Sequence, residues 1–236
     1  MVNYTEAFER PFTDIKKLLI GIAFSILPII SWFAIGFFLE CSGVGKTKAG
    51  KKMPEWKNLG SLFLKGFISF VISLVYFALA MLVFLIGAGA AVFSLIKAIP
   101  WNQVINATSE QASAIVNPII QDAAPSVMAA LPFIITAVVL AVLAAYVLPI
   151  ALLSYISGDS FNSAFKLKSI FKKAFTGKYF VAWILMIVIS LLLGGILRII
   201  PIIGQPAASF IVGVISYSLF GQIFLENEEK SKKKSK

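Results

Sequence analysis

Side chains that could carry out chemistry are scarce in this sequence. It contains no histidine and a single cysteine, Cys41. Histidine is the commonest metal ligand and the usual proton shuttle near neutral pH, and one cysteine can form neither an intramolecular disulfide nor a cysteine-cluster metal site. We therefore expect no catalytic, cofactor-binding or metal-binding residue in this chain.

Two arrangements come nearest to an enzymatic site. Residues 43–47 resemble the end of a phosphate-binding loop, but they lack the first glycine at the required spacing and follow an apolar run instead of a strand. The other arrangement would need Arg10, Glu40 and Glu226 to converge at one inner-face site. No ionisable residue lies in the middle of an apolar run, where a membrane enzyme would need one. We therefore predict that the protein is not an enzyme.

The composition explains why such residues are scarce. Of the 236 residues, 59% are hydrophobic and 14% are charged, and the mean hydropathy is +0.91. A soluble globular chain has about 45–50% apolar and about 25% charged residues. Contact with lipid favours apolar surface that water would penalise. These values exclude a soluble enzyme, a disordered tail and a secreted disulfide scaffold, and they predict an all-α integral membrane protein.

Five uncharged runs divide the chain, and a helix needs about 20 apolar residues to cross the hydrocarbon core of a bilayer. Four runs are predicted transmembrane helices, at residues 66–96, 127–157, 179–197 and 202–225. The first run, residues 18–39, is either a fifth span or a hairpin that enters and leaves by the same face. Residues 1–225 thus form one predicted helical membrane domain, with 1–17 as an interfacial start and 226–236 as a charged tail.

The net charge of +10 comes from basic residues that flank the apolar runs, which indicates a membrane orientation and not nucleic acid as a partner. Lysines concentrate in residues 40–65, in residues 157–178 and in the tail. By the positive-inside rule these segments are cytoplasmic and residues 98–126 lie outside. We expect a multi-pass protein of the cell membrane with a cytoplasmic C-terminus. If the first run is a hairpin, the N-terminus is cytoplasmic as well.

Pro28 lies near the middle of the first run and favours a hairpin there. Proline removes a backbone hydrogen bond and disfavours helix at the preceding residue. The same Pro-Ile-Ile sequence recurs at Pro201, between the last two predicted helices, within a tip at residues 198–206. Each copy is followed by an apolar segment that ends in Leu-Glu. This weak internal repeat predicts hairpin turns at Pro28 and Pro201, and a single span kinked at Pro28 is the alternative.

Two segments outside the runs show helical spacing. In residues 98–126, valines and isoleucines recur among Gln, Ser and Asn, which predicts one or two amphipathic helices on the outer leaflet or capping the bundle. The same segment contains Asn106-Ala107-Thr108, which makes Asn106 a candidate N-glycosylation site.

Residues 166–178 alternate lysines with large apolar side chains. This pattern predicts a basic amphipathic helix lying flat on the inner surface, where anionic head groups would be its partner. The predicted interface residues of this helix are Lys166, Lys168, Lys172 and Lys173.

Further interface residues are predicted in residues 54–66, whose sequence is PEWKNLGSLFLKG. Trp56 favours the head-group zone, and Lys57 and Lys65 can extend toward phosphate. Asn58 can cap the helix that follows. Gly60 and Gly66 would allow close helix packing.

This Pro-x-Trp-x-Asn-x-Gly-x-Leu-Phe segment resembles an uncharacterised, mainly archaeal family of polytopic membrane proteins, known as domain of unknown function four thousand and thirteen. Residues 10–14 and 27–29 also match that family. The resemblance covers nearly the whole chain and implies an N-terminal hairpin before the Trp segment. It implies no activity, substrate or catalytic residue.

Two functions are compatible with these features. The first is a non-enzymatic membrane protein that organises lipid or partner proteins, including a second copy of the chain, through its amphipathic and hairpin segments. The motivating observation is abundant interfacial sequence beside almost no ionisable residue at membrane depth. The alternative is a transporter or channel component for an apolar or lipid-like solute, which the proline-broken repeats suggest.

Overall fold

The structure, a computed structural model, describes residues 2–45 and 52–234. Lys46, Lys48 and Lys51 of the basic 40–65 segment and residues 235–236 of the tail lie outside the described residues. Every regular element in the described part of the chain is helical. The α-helices are α1 (Tyr4–Glu9), α2 (Ile15–Phe24), α3 (Ser31–Cys41), α4 (Leu59–Ala98), α5 (Trp101–Val104), α6 (Ser109–Gly158), α7 (Leu167–Ala174), α8 (Gly177–Leu197) and α9 (Gly204–Lys234). Two 3₁₀ helices cover Arg10–Phe12 and Phe161–Phe165.

Four helices are long and apolar enough to cross a membrane. The candidate spans are Leu59–Gly89, Ser109–Gly158, Gly177–Leu197 and Gly204–Lys230. The helix α3 is apolar but shorter. The all-α class with four membrane-spanning helices, expected from composition and run length, is confirmed.

The chain divides into two compact units. The first comprises Met1–Leu74 and Tyr146–Lys236, and the second comprises Val75–Ala145. The helices α4 and α6 each contribute to both units, since each is continuous past the boundary.

In the first unit, the apolar run at residues 18–39 folds back on itself. The helix α2 ends at Phe24, residues 25–30 form the turn, and α3 begins at Ser31. The Ser31 hydroxyl donates to the carbonyl of Pro28 at 2.6 Å. Proline cannot donate the N–H that would continue α2 and disfavours helix at the residue before it. The run therefore forms two short helices joined by a turn at Pro28, and entry and exit through the same membrane face stays a prediction.

The hairpin packs against α9. The ring of Phe210 lies 5.8 Å from that of Phe37 and 5.4 Å from that of Phe38, measured between centroids. Gly21 of α2 lies against the same Phe210 ring, where any side chain would collide with it. These contacts belong to a buried cluster that consists of Leu18, Ala34, Phe37, Cys41, Met53, Phe210 and Val214. The packing of the hairpin against α9 thus forms the buried centre of the first unit.

The helices α3 and α4 approach each other through two glycines. A Cβ atom on Gly36 would meet the backbone of Leu62, and a Cβ atom on Gly66 would meet the backbone of Trp32. The predicted close packing at Gly66 is confirmed. At Gly60 it is wrong, because nothing lies within 4 Å of the space that a Cβ atom there would occupy.

The helices α8 and α9 form a second hairpin in the same unit, with Pro201 in its turn at residues 198–203. Ile202 in this turn has a φ of +67°, a left-handed conformation that β-branched residues rarely adopt. The predicted Pro201 turn is confirmed. Pro206, expected in the tip, lies instead in the first turn of α9, where a helix has N–H groups without internal partners and proline costs little.

The second unit contains the end of α4, α5 and the beginning of α6. Residues 98–126 are helical over most of their length, as their spacing predicts, since they contain α5 and the beginning of α6. The expected break between this segment and the span at 127–157 is absent, because α6 begins at Ser109 and continues without interruption to Gly158. The external position of the segment stays a prediction. Glu110 and Asp122 lie within α6 and do not interrupt it. A capping pair begins the helix: the Gln111 side chain accepts from the Thr108 N–H at 3.0 Å, and the Thr108 hydroxyl accepts from the Gln111 N–H at 3.4 Å.

Candidate functional site

The helix α7 presents apolar side chains on two sides. Ile170 and Ala174 are fully buried and attach the helix to the protein. Leu167, Phe171 and Phe175 are 49%, 43% and 61% exposed. Because these three residues are spaced by four, they form one stripe along the helix. The predicted amphipathic helix is present, and its apolar face divides into a buried half and an exposed half.

Three of the four lysines predicted for this helix are exposed beside that stripe. Lys166, Lys168 and Lys172 line an open groove of about 450 Å³ together with Leu167 and Ser169. Among the ion pairs of the described residues, none includes any of these three lysines. Their charges are therefore available to an external anion.

Lys173, the fourth predicted interface lysine, faces the protein. Its ammonium lies 2.9 Å from a carboxylate oxygen of Glu228 and 3.7 Å from the ring centroid of Phe224. The same Glu228 oxygen accepts from the hydroxyl of Ser157 at 3.2 Å. Lys173 thus fastens α7 to α9.

A tyrosine pair supports the carboxyl end of α7. The hydroxyl of Tyr146 donates to the carbonyl of Ala174 at 2.7 Å. The hydroxyl of Tyr179 donates to the carbonyl of Tyr146, also at 2.7 Å. Unpaired carbonyls at a helix end need such donors, so the position of α7 is set from both its side and its end.

Trp56 is partly buried and packs against the buried cluster beside the first hairpin. Its ring stacks on Phe37 with a centroid distance of 4.1 Å and an interplanar angle of 12°, and its Nε1–H donates to the carbonyl of Lys17 at 3.1 Å. Asn58 caps α4, as predicted, by accepting from the N–H of Ser61 at 3.4 Å. Lys57 is exposed.

Lys65, a further predicted interface residue, forms an ion pair with Glu40 at 2.8 Å. The pair joins the beginning of α4 to the end of α3. Both side chains are partly buried, at 26% and 20% exposure. Lys65 therefore has a protein partner in addition to any lipid phosphate.

Arg10 is a buried charged residue that sequence reasoning did not place in the core. It is 5% exposed. Its Nη1 donates to the carbonyl of Cys41 and, at 3.1 Å, to the hydroxyl of Ser218, while its Nε donates to the carbonyl of Lys52 at 3.3 Å. Since Cys41 ends α3, the guanidinium caps the negative end of that helix. The only signal in the sequence was an arginine directly before Pro11 and an apolar run.

The three residues that an inner-face catalytic site would have needed have different partners. Arg10 bonds to backbone carbonyls, whereas Glu40 pairs with Lys65. Glu226 accepts from Lys178 at 2.6 Å and from Lys230 at 2.7 Å. Each of the three charged groups thus has a structural partner of its own.

Lys17 organises the polar end of α2. Its N–H donates to the side chain of Asp14 at 3.1 Å, and its ammonium lies 2.7 Å from Glu55. The first bond is the main cause of a lowered Asp14 pKa, and the second is the main cause of a lowered Glu55 pKa.

Burial raises the pKa of the Cys41 thiol to about 12, so this thiol is unreactive at neutral pH.

Asn106 lies in an exposed turn between α5 and α6. Its Nδ2 donates to the carbonyl of Asn102 at 3.0 Å. An exposed turn is compatible with the predicted glycosylation, which stays a prediction.

Comparison with known proteins yields one match. A family model described as "Protein of unknown function (DUF4013)" matches residues 19–202. The matched region contains Pro28 and Pro201, the Trp56 segment and α7. No curated protein and no solved structure matches the chain. Because the match covers more than half of the chain, the protein belongs to this family of unknown function.

Proposed function

We propose that this protein is a non-enzymatic integral membrane protein that organises lipid by holding anionic head groups along α7. One observation carries the proposal. The exposed stripe of Leu167, Phe171 and Phe175 runs beside three exposed lysines that have no acidic partner among the described residues. An apolar stripe next to basic side chains fits the boundary between acyl chains and anionic head groups.

The spans already hold the protein in the membrane, so α7 is free to select lipids. Each lysine near an anionic surface contributes about 1 kcal/mol. Three lysines can therefore favour an anionic over a neutral lipid by about 3 kcal/mol, which is roughly a hundredfold preference. Lys173 and the buried residues Ile170 and Ala174 keep α7 in place while the other lysines contact lipid.

The lysine distribution supports a cell membrane, that of an archaeon as the family resemblance implies, with α7 on the cytoplasmic side. Both chain ends belong to that side in this proposal. In support, the N–H of Asn3 donates to the Gln222 side chain of α9 at 2.6 Å, which joins the beginning of the chain to the C-terminal part of α9. Lys178 and Lys173 contact the same part of α9, at Glu226 and Glu228.

The test compares the lipid that the full-length natural protein retains with the lipid that its lysine variants retain. The protein is reconstituted in vesicles of phosphatidylcholine and phosphatidylglycerol and extracted with its surrounding lipid into polymer-bounded discs. Mass spectrometry then gives the phosphatidylglycerol fraction in the discs relative to the starting vesicles. We expect enrichment in the natural protein, and loss of enrichment in the triple variant K166Q/K168Q/K172Q.

The matched control is K166R/K168R/K172R, which keeps the charges and should keep the enrichment. If the natural protein shows no enrichment, or if the glutamine variant retains it in full, the proposal is wrong.

A further inference from the structure

The two helices of the first hairpin are too short to cross a bilayer. The helix α2 has 10 residues and α3 has 11, so at 1.5 Å per residue they are about 15 and 16 Å long. The hydrocarbon core is about 30 Å thick. The helix α8, with 21 residues, is about 31 Å long and matches that thickness.

Charged side chains mark where each helix leaves the hydrocarbon. Lys17 on α2 pairs with Glu55, and Glu40 on α3 pairs with Lys65. No charged residue occurs between Lys17 and Glu40. In α8, the chain between Lys178 and Arg198 rises about 30 Å. Because both charged ends of the hairpin lie at one interface, its tip reaches a depth of about 15 Å below that interface, which is the middle of the hydrocarbon core.

The tip itself is suited to acyl chains. Leu27 and Ile29 are 53% and 64% exposed, and no charged side chain lies near them in the sequence. Two serines at the turn use their hydroxyls in hydrogen bonds to the backbone. Ser25 donates to the carbonyl of Gly21 at 2.8 Å, and Ser31 donates to the carbonyl of Pro28 at 2.6 Å. The tip therefore presents apolar surface to its surroundings.

The open base of the hairpin is at the same end of α9 as α7. The base contacts α9 where Arg10 donates to Ser218 and where Ser42 lies against Gly221. The helix α7 contacts α9 at Glu228 through Lys173. The hairpin therefore enters from the lysine-bearing face that carries α7.

We infer that the α2–α3 hairpin is a wedge in one leaflet, and that it makes the protein accumulate in membrane that is convex toward its lysine-bearing face. The four spanning helices add area to both leaflets. Two helices of about 10 Å diameter add roughly 150 Å² to one leaflet alone. A leaflet with extra inserted area is relaxed when the membrane bends outward on that side, so the free energy of the protein is lower there.

The inference goes beyond the proposed function, since it needs neither anionic lipid nor the lysines of α7. Its first test measures depth. In a Cys41→Ala background, Ile29→Cys carries a fluorophore, and Ile202→Cys, in the turn of the second hairpin, is the matched control. Vesicles contain lipids with a quencher either deep or shallow on the acyl chain. We expect the Ile29 position to be quenched best by the deep quencher and the Ile202 position by the shallow one.

The second test measures curvature preference. The full chain, with a fluorophore at its C-terminus, is placed in giant vesicles of phosphatidylcholine alone, and a narrow tether is pulled from each vesicle. For molecules whose C-terminus faces outward, we expect a tether-to-vesicle density ratio above one that rises as the tether narrows. The variant K166Q/K168Q/K172Q should give the same ratio, so failure of the lipid proposal is separable from failure of the wedge.

Equal densities on tether and vesicle would overturn the wedge. Shallow quenching at Ile29, or its labelling by a membrane-impermeant maleimide, would overturn the insertion of the hairpin on which the wedge depends.

Discussion

The guanidinium of Arg10 donates to the backbone carbonyl of Cys41, so the first residue of the 3₁₀ helix that precedes α2 contacts the residue that ends α3. This bond closes the base of the first hairpin. The same side chain also reaches Lys52 and Ser218. One buried cation thereby joins the hairpin, the segment before α4, and α9.

Replacing Arg10 by methionine should destabilise the protein by about 2–4 kcal/mol, because three acceptors, two of them buried, lose a charged donor. Thermal unfolding in detergent, followed by tryptophan fluorescence, measures the effect. Ser218→Ala is the matched control. It removes one of the three acceptors and should cost about 1 kcal/mol. A methionine variant as stable as the natural protein would show that the hydrogen bonds of Arg10 do not stabilise the fold.

The glycines of α4 should respond oppositely to alanine. Gly66→Ala places a Cβ atom against the backbone of Trp32, and the forced separation of α3 and α4 should cost about 1–3 kcal/mol. Gly60→Ala is the control in the same helix. It meets open space and should be neutral or stabilising by up to about 1 kcal/mol. Midpoints of thermal unfolding of the two variants compare these effects, and similar destabilisation by both would refute the close approach.

Lys173 and Lys168 of α7 should have different roles, since Lys173 should stabilise the fold and Lys168 should contribute to lipid retention. Lys173→Gln removes the contacts with Glu228 and Phe224 and should lower the free energy of unfolding by about 1 kcal/mol. Lys168→Gln leaves the fold unchanged because Lys168 is exposed and has no ion pair among the described residues. Chemical unfolding together with the lipid-retention assay separates the two roles. A larger loss of stability in the Lys168 variant would contradict this assignment.

The ion pairs of Lys17 should make the first hairpin sensitive to acid. The pKa values of Asp14 and Glu55 lie below their ordinary values of 3.8 and 4.5. Depressed carboxyl pKa values contribute stability that is complete above the ordinary values and is lost as pH falls through the lowered ones. The protection factors for hydrogen exchange at residues 15–24, which correct for the intrinsic exchange rate at each pH, should therefore fall below about pH 4.5.

The control for this pH dependence is Lys17→Met. It removes the ammonium that is the main cause of the lowered Glu55 pKa, whereas the backbone N–H that is the main cause of the lowered Asp14 pKa remains. The decrease in protection factor between pH 6 and pH 3 should be smaller in this variant. An identical pH profile in both proteins would show that other carboxyl groups control the hairpin.

Properties that depend on local sequence could be predicted. Composition and run length predict the membrane class, and proline predicts the turns at Pro28 and Pro201. The spacing of Leu167, Phe171 and Phe175 predicts a surface helix. In residues 98–126 the spacing was also helical, but the boundary was placed wrongly, since isolated charges at Glu110 and Asp122 do not end a helix. Local pattern predicts the type of element more reliably than its limits.

What the sequence determined by itself is therefore an all-α membrane protein with two proline turns and a basic surface helix, since hydrophobicity and backbone preference act over a few residues. Only the tertiary structure decided which residues meet. It buried Arg10 at the end of α3, packed Trp56 on Phe37, turned Lys173 inward to Glu228, and distinguished Gly66 from Gly60. These outcomes depend on contacts between distant parts of the chain, and residue type alone does not specify its partner.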